Sequence, residues 1–194
     1  RISSDVILSG ETGAPTPVAA LRGLRLAVPV TVSQVGIDRH VAEAFANSLS
    51  ILTAAGAVIW EIAIPEFAEL AKISAQATFP AAEAWAWHRV LLNREEARYD
   101  PRVGNRIRRG SVISAADWLD LLAARRAWIA TVELRLAGYD ALLMPTVPII
   151  APEIAAVSAT DEVSYATYWL LLRNPTLIIF SDGCALSLPC PSAV

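Results

Sequence analysis

The chain has 194 residues, 55% of them hydrophobic, with a net charge of −3 and a mean hydropathy of +0.45. This composition excludes an intrinsically disordered protein, because so apolar a chain has ample side-chain surface to bury. It also argues against a membrane span, since the longest uncharged run, residues 44–60, has only 17 residues and contains polar side chains. The excess apolar surface is predicted to lie in a sheet covered on both faces, or against protein outside this chain.

The two cysteines, Cys184 and Cys190, lie six positions apart near the C-terminus. They provide no disulfide framework, and the sequence shows no signal-peptide pattern. These observations predict a cytoplasmic protein, because thiols stay reduced in that compartment.

The N-terminal third of the sequence predicts a strand, a helix and a second strand. Residues 1–20, rich in Ser, Gly and Pro, are predicted to be a linker that leads into the folded part. Alternating apolar residues after Gly23 predict the first strand, and Asp38 is placed to cap a helix that ends at Gly56. The second strand is predicted at Ala57–Ile64. This order is typical of a βαβ unit, so the sequence predicts a parallel sheet.

The middle of the chain is predicted to be helical. The apolar pattern of Glu66–Asn93 is interrupted at Pro80, which predicts two helices and not one. Ser114 and Asp117 have the spacing of a capping box, and the apolar face that follows predicts a long helix up to Gly138.

Three further elements are predicted in the C-terminal part of the chain. Ala141–Met144 is predicted to be a short buried strand that runs into a proline-rich extended loop. Tyr165–Leu172 is predicted to be a buried helix, and Cys184–Leu188 the last strand. The predicted fold class is therefore α/β, with a mixed, largely parallel sheet flanked by helices.

Side chains with the chemistry for catalysis are few and lie apart in the sequence. Local motifs for serine or zinc hydrolases and for phosphate-binding glycine loops are missing. His40 and His88 have no Asp or Cys partner at ligand spacing, so structural roles are favoured. Lys72 is two positions from Ser74 and cannot face it on a helix, so a surface lysine is favoured over a base. For Cys184, a buried and inert thiol is favoured over a nucleophile.

Seven arginines lie within residues 89–109, close to Glu95, Glu96 and Asp100. Such a cluster could neutralise phosphates, but a pI of about 5.4 and the nearby acids favour local ion pairs, and we predict no nucleic-acid binding. Arg106 is the member that could clamp a carboxylate through two hydrogen bonds, with a structural salt bridge as the favoured alternative.

Several segments, taken in order, resemble the amidase signature hydrolases. They are LRGLRLAVP at 21–29, Gly56-Ala57, Ile64-Pro65, Glu83, Arg106-Ile107, Ile113-Ser114, YDALLMPTVP at 139–148 and CALSLP at 184–189. The YDALLMPTVP segment carries the most weight. The DGCA stretch at 182–185 is more similar to general amide hydrolases than to tRNA amidotransferase A subunits. The resemblance covers nearly the whole chain.

The resemblance implies a serine hydrolase that cleaves carboxamides through an acyl-serine intermediate, using a Ser, cis-Ser, Lys triad. In the family, this triad lies upstream of every segment matched here, and Ser3 and Ser4 lack the surrounding glycines and lysine. Residues 21–194 are therefore expected to be the C-terminal part of a single amidase signature domain. No catalytic residue, metal or cofactor is assigned to this chain, and the isolated chain is expected to be inactive.

Three residues are candidates for substrate binding by the same resemblance. Pro145 and Thr146 lie on the loop that leaves a predicted strand, where α/β folds place ligands, and are expected to line the acyl pocket. Arg106 is a further candidate, for contacting a substrate carboxylate.

The expected partners are a small-molecule amide substrate and the upstream N-terminal amidase segment, with no nucleic acid and no membrane. Apolar surface left uncovered in the isolated chain predicts self-association, of which a homodimer is one form. The alternative function is a non-catalytic binding or assembly module that retains the amidase fold.

Overall fold

A computed structural model describes residues 20–190 of the chain. The predicted linker at 1–20, apart from Ala20, and the serines Ser3 and Ser4 lie outside these residues. The described part has a parallel three-stranded sheet with helices around it, which confirms the predicted α/β class.

Strand β1, Arg25–Pro29, is the central strand of the described sheet, whose order is β2-β1-β3. It pairs in parallel with β2, Val58–Ile62, and with β3, Ala141–Leu142. Leu26, Ala27 and Val28 are between 0% and 5% exposed, because neighbours cover them on both edges and both faces. The first two predicted strands and their parallel pairing are confirmed.

Helix α1, Arg39–Ala54, connects β1 to β2. The Asp38 side chain accepts a hydrogen bond from the His40 backbone N–H at 2.8 Å, which satisfies one of the free donors of the first turn. After the helix, Gly56 has a φ of +96°, a conformation that suits glycine and turns the chain into β2. The predicted cap and the predicted end of this helix are both confirmed.

Four helices and two short 3-10 segments lie between β2 and β3. Helices α2, Glu66–Ile73, and α3, Phe79–Arg94, are separate, and Pro80 lies in the first turn of α3, where its missing N–H costs nothing. The next helix, α4, spans Pro101–Arg108 between 3-10 segments at 96–98 and 109–112. Helix α5, Ala115–Leu136, begins with the predicted capping box between Ser114 and Asp117.

Strand β3 is shorter and less buried than predicted. Only Ala141–Leu142 of the predicted segment 141–144 pairs with β1, and Ala141 is exposed. Among the described residues, β3 lies at an edge of the sheet, so one side has no neighbouring strand to cover it.

Of the two predictions for the C-terminal region, the helix is confirmed but is longer and less buried than predicted, and the last strand is wrong. A short helix, α6, spans Ile154–Val157, and α7 spans Asp161–Phe180, far beyond the predicted Tyr165–Leu172. Helix α7 continues through Pro175 because Leu177 and Phe180, beyond the proline, are buried in the core. The predicted last strand, Cys184–Leu188, is irregular and exposed, because no described strand pairs with its backbone.

The core cluster of buried hydrophobic residues joins α2, α5 and α7. The ring of Trp128 lies 6.0 Å from that of Phe67 and 5.2 Å from that of Phe180, measured between centroids. Its indole N–H donates to the Glu66 backbone carbonyl at 2.7 Å, so the ring is buried without losing a hydrogen bond. The Glu66 carboxylate is also nearly buried, and Arg135 donates to both of its oxygens at 2.8 and 2.6 Å.

Several large apolar side chains lie on the surface of the described residues. Trp87, Leu134 and Ile154 are 84%, 79% and 83% exposed, and they lie on three different helices. The predicted self-association remains a prediction. None of the helices in residues 20–190 combines the length and the apolarity that crossing a bilayer requires.

Gly110 supports close packing of the 109–112 segment on α3, and its replacement tests that contact. A Cβ at this position would overlap the Ala81 carbonyl oxygen and lie 2.5 Å from the Trp85 Cβ. We expect Gly110→Ala to lower the unfolding free energy by about 1–3 kcal/mol in denaturant titrations, because backbone atoms must move. The control Gly138→Ala meets no atom within 4 Å and is expected to be neutral. Equal stability of the two variants would contradict this role of Gly110.

The Glu66–Arg135 pair predicts a pH dependence of stability. Hydrogen bonds from Arg135 lower the pKa of Glu66. The whole stabilisation from this pair is therefore present when the pH is above the ordinary carboxyl pKa of about 4.3. This stabilisation is lost as the pH falls through the lowered value. We expect Glu66→Gln to flatten the acid limb of a plot of unfolding midpoint against pH, while Glu133→Gln, on the exposed face of α5, leaves it unchanged. Parallel acid limbs for all three proteins would refute the expectation.

Candidate functional site

The loops that follow β1 and β3 meet at the same edge of the sheet. From β1, the chain passes to β2 on one side and later to β3 on the other, so the strand order reverses between β1 and β3. Open parallel sheets bind ligands in the crevice at this reversal, outside the carboxyl ends of the strands. The pair of loops at 30–38 and 143–150 is therefore the first candidate site.

The loop after β1 is folded tightly against the end of its own strand. The hydroxyl of Ser33, which is fully buried, donates to the Pro29 carbonyl at 2.7 Å, and the Gln34 side-chain amide donates to the same oxygen at 3.0 Å. Val32 has a φ of 65°, which is uncommon for a β-branched residue. Strained residues held by several hydrogen bonds are concentrated at ligand sites, so this loop is a candidate wall of such a site.

The loop after β3 carries the predicted residues Pro145 and Thr146. Pro145 is buried, whereas Thr146 is exposed and its Oγ1 lies 2.8 Å from Ser187 Oγ. The Asp38 backbone N–H donates to the Pro148 carbonyl at 2.7 Å, which joins this loop to the loop after β1. The two predicted residues are therefore at the carboxyl end of a strand, as expected.

Two adjacent residues of α7, Arg173 and Asn174, join these loops and were missed by the sequence analysis. The Asn174 amide donates to the Ser33 carbonyl at 3.0 Å and to the Pro145 carbonyl at 2.8 Å. Arg173 donates to the Val35 carbonyl at 2.6 Å and to the Ser33 carbonyl at 3.2 Å. The available signal was an Arg-Asn-Pro triplet in an otherwise apolar stretch, because such polar side chains need partners if they are buried.

Arg173 is charged in an environment of neutral oxygen atoms. Burial lowers its pKa from the ordinary arginine value, and it forms no ion pair with a carboxylate of residues 20–190. A guanidinium stays protonated in proteins, so its positive charge is present beside the loop after β1.

A second candidate site is a cleft of about 440 Å³ around Arg106. Its walls come from the α2–α3 connection, α3, α4, the 109–112 segment and α7, and they include Thr78, Ile107 and Trp169. The Arg106 guanidinium lies over the ring of Tyr168, 4.2 Å from its centroid, a cation–π contact that orients the planar group. The favoured structural salt bridge is wrong, because Arg106 pairs with no carboxylate among the described residues.

The structure does not bring Arg106 together with Pro145 and Thr146. Neither loop residue lines the Arg106 cleft. Tyr168, beneath Arg106, and Asn174, which contacts Pro145, are both on α7 and are separated by about 9 Å along its axis.

Four of the six other arginines of the 89–109 cluster are in ion pairs, and three of these pairs are local. Arg94 and Arg98 pair with Glu95, and Arg108 pairs with Glu96. Arg102 pairs with Asp161, whereas the Asp100 side chain caps α4. The predicted local pairing is confirmed for Glu95 and Glu96 and is wrong for Asp100, because Arg102 pairs with a carboxylate 59 residues away.

The remaining candidates form no catalytic group among the described residues. His88 Nδ1 lies 2.9 Å from Tyr99 Oη, a structural contact, and His40 and Lys72 are exposed. Cys184 is exposed, so the predicted buried thiol is wrong, because the strand that would have buried it is not formed.

Comparison with known proteins gives a consistent family. The family model described as Amidase matches residues 3–192. The chain is 28% identical, over 91% of its length and 38% of the relative's, to a 2-amino-5-chloromuconic acid deaminase of Comamonas testosteroni. It is 27% identical to an amidase of Pseudomonas putida, over 68% of this chain and 28% of that protein.

A solved structure shows the same fold. A serine-to-alanine variant of the Kluyveromyces lactis allophanate hydrolase superimposes with a TM-score of 0.71 at 23% identity, over 82% of this chain and 25% of that one. The chain thus spans well under half the length of the relatives that it matches.

Proposed function

Because this chain belongs to the amidase family, a family of amide hydrolases, we propose that it is the C-terminal portion of an enzyme that hydrolyses a carboxamide C–N bond. The observation that carries the proposal is the family match over residues 3–192, which includes both candidate sites. The proposal concerns the complete protein.

The proposed reaction proceeds through an acyl-serine. A serine hydroxyl attacks the carboxamide carbon, the C–N bond breaks, the amine leaves with a proton, and water then hydrolyses the ester. A neutral lysine that acts through a second serine can take the proton from the nucleophile. We place these three groups in a segment upstream of the residues matched here, so the isolated chain is proposed to be inactive.

In this chain, Pro145 and Thr146 are proposed to line the pocket for the acyl part of the substrate. They lie where the strand order of the sheet reverses, and Thr146 is exposed while Pro145 is held by Asn174. A rigid wall at this position favours one orientation of the carboxamide, which lowers the barrier to attack.

Arg106 is proposed to bind a carboxylate on the substrate. Its guanidinium is half-buried and oriented by Tyr168, and its charge has no carboxylate partner within residues 20–190. Bidentate hydrogen bonding to a planar carboxylate suits such a group.

The location of the nucleophile is tested with a serine-directed phosphonate probe. The complete protein, expressed from its full reading frame, is expected to hydrolyse simple amides and to be labelled once per molecule. The 194-residue chain is expected to show neither turnover nor labelling. Labelling of the isolated chain would place the nucleophile within it, and a complete protein without activity would contradict the amidase proposal.

The role of Arg106 is tested with a pair of amides that differ only in a carboxylate. We expect Arg106→Met to lower kcat/KM for the carboxylate-bearing amide roughly tenfold to a hundredfold, because about 1.5–3 kcal/mol of charged hydrogen bonding is lost. The uncharged amide should be affected little. The control Arg89→Met removes an exposed guanidinium whose one hydrogen-bond acceptor among residues 20–190 is the Ala86 carbonyl. Equal losses on both amides would refute carboxylate recognition.

A further inference from the structure

We propose that Asn174 is a positioning residue: it holds the loops after β1 and β3 together and thereby directs the backbone N–H of Thr146 toward the substrate. The inference rests on the proposed amide hydrolysis and adds a residue and a backbone donor to it. Asn174 is on α7 and lies outside the segments that carry the family resemblance.

The side chain of Asn174 forms hydrogen bonds to the two loops and to the adjacent residue Arg173. Its side chain is 1% exposed, and its amide nitrogen donates to the Ser33 and Pro145 carbonyls. Its Oδ1 accepts from Arg173 Nε at 3.1 Å, which sets the orientation of the amide group. One buried carboxamide therefore connects loops that are 112 residues apart in the sequence, counted from Ser33 to Pro145.

The two loops depend on Asn174 to different degrees. The Ser33 carbonyl also accepts from Arg173, whereas the Pro145 carbonyl has no other donor among the described residues. Removing the amide therefore leaves the Pro145 carbonyl buried and without a hydrogen bond, which is unfavourable enough to make the loop rearrange.

The Pro145 carbonyl determines where the next N–H points. In a trans peptide the C=O and N–H lie in one plane and point in opposite directions, and the described residues contain no cis peptide. Because the Pro145 carbonyl is turned inward to Asn174, the Thr146 N–H is turned outward. No atom of residues 20–190 accepts a hydrogen bond from this N–H, so it is available to a ligand oxygen.

An apolar residue at position 174 would fill the same space but would donate no hydrogen bond to the two loops. The surrounding residues of α7 are mostly apolar, and Leu177 and Phe180 pack in the core. A leucine would bury more apolar surface but would leave the Pro145 carbonyl without its donor. The amide is therefore needed for the geometry of the loops and not for filling the core.

The test uses hydrogen exchange and kinetics of the complete protein. In Asn174→Ala, peptides that cover residues 33–38 are expected to exchange faster, because the Asp38 N–H joins the two loops through its hydrogen bond to the Pro148 carbonyl, while peptides from α5 remain unchanged. The value of kcat/KM per folded molecule is expected to fall roughly tenfold or more. The control Thr176→Ala, on an exposed position of the same helix, should change neither. Uniformly faster exchange, or unchanged exchange in residues 33–38, would overturn the proposal.

A second variant keeps the proposal testable if Asn174→Ala does not fold. Asn174→Asp has nearly the same shape, but its carboxylate opposes the two carbonyls, whereas its protonated form can donate to one of them. Relative to the unmodified protein, both kcat/KM and exchange protection of residues 33–38 should recover as the pH falls from about 8 to about 5, because burial beside two carbonyl oxygens raises the pKa of the new carboxyl group. A constant ratio would overturn the proposal.

The two proposals can fail separately. A complete protein that does not hydrolyse amides would contradict the proposed function, while the exchange data would still decide whether Asn174 holds the loops. A hydrolase whose Asn174→Ala variant loses loop protection but keeps kcat/KM would contradict the positioning role alone.

Discussion

The hydrogen bonding of β1 on both of its edges is the constraint on which the rest of this structure depends. A parallel strand cannot be joined to its neighbour by a tight turn, so each of its neighbours requires a crossover. Helix α1 provides the first, and residues 63–140, with four helices, provide the second. Because both partners are parallel to β1, the loops that follow β1 and β3 emerge at one edge.

Helix α7 satisfies the backbone groups that this arrangement exposes. Asn174 and Arg173 donate to carbonyls of the loops at the sheet edge. At the end of the same helix, Arg125 of α5 donates to the Phe180 carbonyl at 2.9 Å and pairs with Asp182. A carbonyl without a hydrogen-bond donor raises the free energy of the folded state, both at a helix terminus and in a buried loop. In both places here, a side chain from another element supplies the donor.

The two half-buried arginines that have no carboxylate partner among residues 20–190 lie beside the two candidate sites. Arg94, Arg98 and Arg108 are neutralised by nearby glutamates on exposed surface, where such pairs contribute little to stability. Arg106 and Arg173 contact instead an aromatic ring and neutral carbonyls. Both contact α7 or belong to it, so one helix places a positive charge beside each candidate site.

The sequence by itself determined the local elements and the family. The Asp38 cap, the turn at Gly56 and the Ser114 capping box involve residues only a few positions apart, and the structure contains all three. The failed predictions are those that depended on distant partners. The segment 184–188 has the apolar pattern of a strand, yet no described strand lies beside it, and α7 passes through Pro175 because its last turn is anchored in the core. Only the tertiary structure could identify Asn174, because a buried amide takes its role from carbonyls 141 and 29 residues away. Hydrogen bonds across such separations leave no periodic pattern in a sequence, since they depend on where the packed elements place each backbone oxygen.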